Sequence, residues 1–287
     1  MKPSQHRWLI RTAALTVAAA VSGSLVGCGA AHRAERELGA AGYWTRSRLL
    51  HALPWQEERT PTAQTRRASL KASRVGAIFS HSASGNHFCT ASVVDSPGHD
   101  LLITAAHCIS GGKNGGPAQD IVFIPGYRDG TEPYGVWTPR KLIVDPRWTS
   151  SSDPGYDVGF VVLNSLNGKN IEDVLGANQV GFDPGYSNLV RVTGYPASAD
   201  APVACRNWTT EQSPSQLRFN CAGFYGGTSG SPFVTRFNPF SDVGTIIGVI
   251  GGYQEGGATP STSYSSYFGS GIRSLYQRAV AAAAAAT

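Results

Sequence analysis

Three regimes of hydrophobic patterning divide the chain. A basic start, "MKPSQHRWLIR", leads into "TAALTVAAAVSGSLVG", an unbroken apolar run too short for a comfortable membrane span. This predicts a signal peptide over residues 1–27. Residues 28–73 are rich in Ala, Arg, Thr and Glu and show no sustained period, which predicts a largely disordered tether or propeptide. One stretch within it, Tyr43 to Leu53, has the composition of an amphipathic turn or helix. From about Val75 the pattern changes to short apolar or alternating runs rich in Val, Ile, Thr, Tyr and Phe, separated by Gly, Pro, Asn and Asp.

These runs form two series. The first is "VGAIFS", "HFCTASVVDS", "LLITAAHC", "IVFIPGY", "RKLIVD" and "DVGFVVLN". The second, after "SLNGKNIEDVLGAN", is "NLVRVTGYP", "VACRNW", "QLRFNCA", "SPFVTRF", "GTIIGVIGGY" and "SYSSYFGSGI". Six short strands twice over predict an all-β fold of two antiparallel barrels, an arrangement that removes exposed strand edges. The last stretch, "GIRSLYQRAVAAAAAAT", switches to helical spacing, with Ile272, Leu275, Tyr276 and Ala279 on one face. The folded domain is therefore expected over 74–280, closed by a C-terminal helix, with an Ala-rich tail at 281–287.

Composition narrows the function classes. The net charge of +5 comes largely from arginines that precede the strand-rich region, and no basic stripe is interleaved with aromatics. Nucleic acid is therefore not an expected partner. The five cysteines are Cys28, Cys89, Cys108, Cys205 and Cys221. An exported protein pairs its cysteines, and the near-neighbour pairs Cys89–Cys108 and Cys205–Cys221 would each close a short loop. Cys28 is then the odd one. It ends "LVGC", which resembles a bacterial lipobox and would make Cys28 a lipidated N-terminus; ordinary cleavage near "GCGAA" is the alternative. No C-x-x-C occurs and the histidines are scattered, so neither a metal nor a cofactor is expected.

Three short motifs carry chemistry. In "LLITAAHCIS", His107 follows an apolar strand and two alanines that would leave an imidazole uncrowded. In "GYDVGFVVLN", Asp157 is a lone acid opening an apolar run, where a carboxylate is costly unless it is hydrogen-bonded or paired. Asp145 and Asp153 are rivals that do not directly precede such a run. In "GGTSGSPF", glycines at 226, 227 and 230 permit a tight bend that would expose the Ser229 hydroxyl and aim the N–H groups of Gly227 and Ser229 at one point. Each motif alone has a bland reading: a core histidine, a strand-start cap, a flexible turn. Together they give the order His, Asp, Ser, one of the known triad orders.

On these residues the chain resembles the chymotrypsin-like (trypsin-like) serine peptidases over about residues 75–280. "TAAHC" matches the family's histidine motif, "YDVGFVVL" is similar to its aspartate segment, and "GTSGSP" resembles its serine motif in the form found in bacterial members such as the glutamyl endopeptidases. The resemblance implies two six-stranded antiparallel barrels and a secreted or lipid-tethered, monomeric serine endopeptidase acting on protein or peptide substrates. It implies His107, Asp157 and Ser229 as the triad, Gly227 and Ser229 as the oxyanion hole, and Cys89–Cys108 as the histidine-loop disulfide. A base that must be neutral implies activity that falls below about pH 7. The alternatives are a catalytically silent surface protein of the same fold and an esterase with the same triad.

The sequence departs from the family in three places. Thr228 stands where digestive members carry an aspartate that pairs with a newly freed N-terminal amine, although Arg74-Val75 has the form of a cleavage site. Gly223, six residues before Ser229, replaces the aspartate that binds Lys or Arg in trypsin-type enzymes. With Phe224, Val249, Ile250 and Tyr253 as the expected walls of the specificity pocket, a small or apolar preference follows. Gly251 lies near where the family often has a serine supporting the triad acid, leaving Asp157 in need of another donor.

Overall fold

The computed structural model describes residues 39–54, 66–67, 73–82 and 85–285. The signal peptide and Cys28 lie outside these. The strands are β1 (Leu53–Pro54), β2 (Arg66–Arg67), β3 (Val75–Ser82), β4 (Gly85–Val94), β5 (Leu101–Thr104), β6 (Gln119–Pro125), β7 (Pro139–Val144), β8 (Gly159–Leu163), β9 (Gln179–Val180), β10 (Leu189–Gly194), β11 (Val203–Ser213), β12 (Gln216–Asn220), β13 (Pro232–Asn238), β14 (Val243–Val249) and β15 (Thr262–Ser266). The helices are α1 (Gly39–Tyr43), α2 (Arg46–Leu50), α3 (Pro146–Ser151), α4 (Ile171–Leu175) and α5 (Ser270–Ala284). One sheet runs β6-β3-β4-β5-β8-β7 with β1 on β4, and the other β15-β12-β11-β10-β13-β14-β9 with β2 on β11. All twelve expected strands are present, six in each sheet, and β1, β2 and β9 are additions.

The apolar runs are continuous because both faces of the central strands are covered. Along β5, Leu102 faces the interior of the first sheet with Ile78, Phe123 and Trp137. Its neighbours Leu101 and Ile103 face the other way, toward Val234, Ile246 and Phe268 of the second half and toward α5. In β8, Val161 and Leu163 alternate with Phe160 and Val162 in the same fashion. Helix α5 buries Ile272, Leu275, Ala279 and Ala283, a stripe at spacings of three and four. It runs on to Ala284, so most of the Ala-rich tail belongs to the helix, as alanine's propensity favours.

The N-terminal segment departs from the expected disorder. Residues 39–54 are folded onto the outer face of β3, where Trp44 and Leu49 are buried against Ala77, Phe79, Val122 and Tyr127. The Trp44 indole donates to the Asp120 carbonyl at 2.5 Å, and the Tyr43 hydroxyl donates to Asn86 Oδ1 at 2.8 Å. Thr45 caps α2. The aromatic and leucine side chains in an otherwise polar stretch supply the burial that offsets ordering, each contributing about 1.5–3 kcal/mol.

Candidate active site

His107 sits in a single 3₁₀ turn, Ala106–Cys108, directly after β5. Ala105 is extended, and the Ile109 and Ser110 N–H groups close the turn on the Ala106 carbonyl. The Cys89–Cys108 disulfide ties this turn to β4, and Cys205–Cys221 ties β11 to the end of β12. Asp157 follows a second 3₁₀ turn, Pro154–Tyr156, and precedes β8. The rival acids have other work. Asp153 caps that turn, and Asp145 caps α3 while pairing with Arg147 and Arg278.

The structure brings His107 and Asp157 together in a buried pair. Asp157 Oδ2 accepts from His107 Nδ1 at 2.8 Å, and Oδ1 accepts from the His107 backbone N–H at 2.9 Å. A third donor, the N–H of Gly252, reaches Oδ2 at 2.8 Å. The missing serine is thus replaced by a backbone group one residue beyond Gly251. Burial by itself would lower the His107 pKa; the Asp157 charge, the Asp157 hydrogen bond and Glu255 outweigh it, and the net shift is upward.

Ser229 lies on a bend whose glycines cannot be replaced. Gly227 has φ +92°, and a Cβ there would collide with the Phe88 ring and stand 2.7 Å from the Tyr195 carbonyl. Gly230 has φ +83°, and a Cβ there would collide with the Thr90 carbonyl and the Thr104 hydroxyl. This contact sets the serine bend against the end of β5 and against Ala105, two residues before His107. The His107 Nε2 and Ser229 Oγ atoms are both buried without a hydrogen-bond partner among the described residues. The N–H groups of Thr228 and Gly230 donate to the carbonyls of Tyr225 and Ile250, whereas those of Gly227 and Ser229 have no acceptor among the described residues.

The bend is held by a residue that sequence reading passed over. Thr90 of β4 donates its N–H to the Ser229 carbonyl at 2.7 Å and its hydroxyl to the Gly227 carbonyl at 3.1 Å, while accepting from the Tyr195 N–H at 2.9 Å. The Gly227 N–H belongs to the peptide whose carbonyl, that of Gly226, accepts from the Ala197 N–H at 2.8 Å, and the Ser229 N–H to the peptide whose carbonyl, that of Thr228, accepts from the Ser231 N–H at 3.0 Å and hydroxyl at 2.6 Å. Thr228 donates its hydroxyl to the Tyr225 carbonyl at 2.7 Å, a neutral tie at the position of the digestive enzymes' aspartate. The Arg74-Val75 bond lies within the sheet: the Arg74 carbonyl accepts from Val93 N–H, the Val75 carbonyl accepts from Gly126 N–H, and Val75 is buried.

The expected specificity walls divide. Phe224 and Ile250 pack into the second sheet's core with Phe219 and Phe233, and Val249 is buried between the sheets. Gly223 is buried with its N–H on the Pro260 carbonyl. Tyr253 alone of the five presents a side chain to solvent, stacked edge-on against Tyr264.

A family model described as Trypsin matches residues 63–268. The chain belongs to the trypsin family. Two solved proteases resemble this trypsin-family chain along nearly their whole lengths. Protease Anisep from Arthrobacter nicotinovorans is 30% identical with a TM-score of 0.67, covering 75% of this chain and 99% of its own. The thermostable serine protease AL20 from an extremophilic microorganism is 26% identical with a TM-score of 0.68, covering 74% and 99%. Family and fold are those of chymotrypsin-like serine-type endopeptidases. A curated relative from Bacillus subtilis (strain 168), named an extracellular metalloprotease, is 24% identical over 202 residues, 68% of this chain. The chain spans 61% of that relative's length. The group of potential metal donors found among the described residues, Cys89, His107 and Cys108, does not suit a metal. Its two sulfurs are bonded to each other, and the imidazole Nδ1 is bonded to Asp157.

Proposed function

We propose that the protein is a secreted or membrane-tethered serine endopeptidase that cleaves peptide bonds through His107, Asp157 and Ser229. The observation that carries this reading is the buried Asp157–His107 Nδ1 hydrogen bond of 2.8 Å, with the opposite imidazole nitrogen and the Ser229 hydroxyl unpartnered among the described residues. Asp157 fixes the tautomer that leaves Nε2 free to act as a base. His107 removes the Ser229 proton as Oγ bonds to the substrate carbonyl carbon, and the carbonyl oxygen becomes an oxyanion facing the N–H groups of Gly227 and Ser229. The imidazolium returns the proton to the leaving amine as the C–N bond breaks. Water then repeats the sequence on the acyl-enzyme and restores Ser229.

The two disulfides suit an oxidising, extracellular setting. No helix among the described residues is long and apolar enough to cross a membrane. In this reading, attachment to a membrane runs through a lipid on Cys28. Gly223 offers no carboxylate, so the reading includes no preference for Lys or Arg substrates. The silent binding-protein reading is not favoured, since no triad group is lost.

A fluorophosphonate probe tests the activity. The chain from Cys28 should be labelled, and its Ser229→Ala form should not. Absence of labelling in the folded, disulfide-bonded wild type would overturn the reading.

A further inference from the structure

Gln216 opens β12 and is buried. Its side-chain amide bridges two loops. Oε1 accepts from the Tyr253 N–H at 3.0 Å, and Nε2 donates to the Pro154 carbonyl at 2.8 Å. Pro154 begins the turn that delivers Asp157. Tyr253 directly follows Gly252, whose N–H donates to Asp157 Oδ2. Ser266, paired with Gln216 across β12 and β15, adds its own hydroxyl bond to the Pro154 carbonyl at 2.8 Å. The fit at Gly252 is close: φ is +78°, and a Cβ there would collide with Gln216 Oε1.

We infer that Gln216 is a positioning residue for the triad, clamping the loop that carries Asp157 to the loop that donates to it. The inference rests on the reading of Asp157 as the triad acid. Neither loop is a strand at this point, and the Gly251 position brings no hydroxyl to the carboxylate. The Gly252 N–H must therefore be held in place by something outside its own loop, and the Gln216 amide has the donor and the acceptor to do it. An alternative scaffold role, filling space at the start of β12, would not require both amide atoms to be bonded to these two loops.

The chemical consequence runs through the imidazole. The charged groups acting on His107 are Asp157 and Glu255. When the Gly252 N–H is released, Asp157 Oδ2 loses one of its two donors, and its negative charge falls more fully on His107. The imidazolium is then stabilised further, and the acidic limb of the activity profile moves to higher pH. A looser Asp157 also orients His107 less well, which slows the reaction at every pH.

The test is the rate of fluorophosphonate labelling from about pH 5 to pH 9 for wild type, Gln216→Leu and Gln216→Glu, with melting temperatures alongside. The leucine removes both amide bonds. The glutamate keeps the acceptor for Tyr253, removes the donor to Pro154 and adds a charge. Both variants should label about tenfold more slowly than wild type at their optimum, with midpoints displaced upward. A folded leucine variant with wild-type rate and midpoint would overturn the inference. If that variant does not fold, the near-isosteric glutamate decides by its rate alone, because its added charge raises the midpoint whatever the clamp does, and a wild-type rate would overturn the inference. A wild type that is not labelled at all would instead overturn the endopeptidase reading.

Discussion

The hydroxyl of Thr90 lies 3.1 Å from the carbonyl oxygen of Gly227, and the Thr90 N–H lies 2.7 Å from the carbonyl oxygen of Ser229. One β4 residue therefore holds the peptide groups on either side of the Thr228–Ser229 peptide, whose N–H would face an oxyanion. Thr90→Val keeps the shape and removes the hydroxyl. We expect kcat to fall by about tenfold or more, less than the 10²–10³ lost with a direct oxyanion donor, because the backbone bond to Ser229 survives. Thr90→Ser should retain most activity. Steady-state kinetics on a peptide ester would show it, and equal losses in both variants would contradict the assignment.

The upward shift of His107 fixes the sign of the pH dependence. Its base form is lost as pH falls, so kcat/KM should decline through a midpoint above the ordinary histidine value of about 6.5. Asp157→Asn removes the charge that holds the shift, and the midpoint should move down while kcat drops by about 10⁴. A pH–rate profile of both proteins checks direction and size. For stability the sign is opposite: a raised histidine pKa contributes below about 6.5 and the contribution fades as pH rises through the folded value.

Asp145 is buried between the guanidinium groups of Arg147 and Arg278, joining α3 to α5. Burial would push its carboxyl up, but the hydrogen bonds from Arg147 and Arg278 prevail and hold it at about 2. Its stabilising contribution is therefore present above the usual carboxylate range and is lost as pH falls toward about 2. Both arginines are roughly half exposed, which limits the energy. Asp145→Asn should cost roughly 1–2 kcal/mol at pH 7 and roughly half as much at pH 3, read from urea melts at the two values.

Trp44 tests whether residues 39–54 belong to the folded unit. Trp44→Ala removes a buried indole and its bond to the Asp120 carbonyl, and should cost about 3–5 kcal/mol. Differential scanning calorimetry would detect the drop in melting temperature. An unchanged melt would return the segment to the status of a tether.

The twelve strands were legible because short apolar or alternating runs bounded by turn residues persist through both halves, and "TAAHC" and "GTSGSP" identify themselves by composition and order. The docked segment was only half legible: Trp44 and Leu49 have helical neighbours, but the β3 surface that covers them is distant in the chain. Thr90 and Gly227 are 137 residues apart, and Gly252 and Asp157 are 95 apart. No local pattern announces a hydrogen bond of that kind. Phe224 and Ile250 illustrate the converse limit, since an apolar residue beside a cleft motif can as easily turn into the core, as both do.

The tie between Thr228 and the Tyr225 carbonyl has a consequence at the other end of the pH scale. A loop that depends on an ammonium–carboxylate pair opens when the amine loses its proton in alkaline solution, and weakens as salt screens the pair. Here that position is occupied by a hydroxyl that neither titrates nor carries charge. The loop bearing Ser229 should stay assembled in alkali and in brine, giving a protease whose activity has an acid limit but no matching alkaline one.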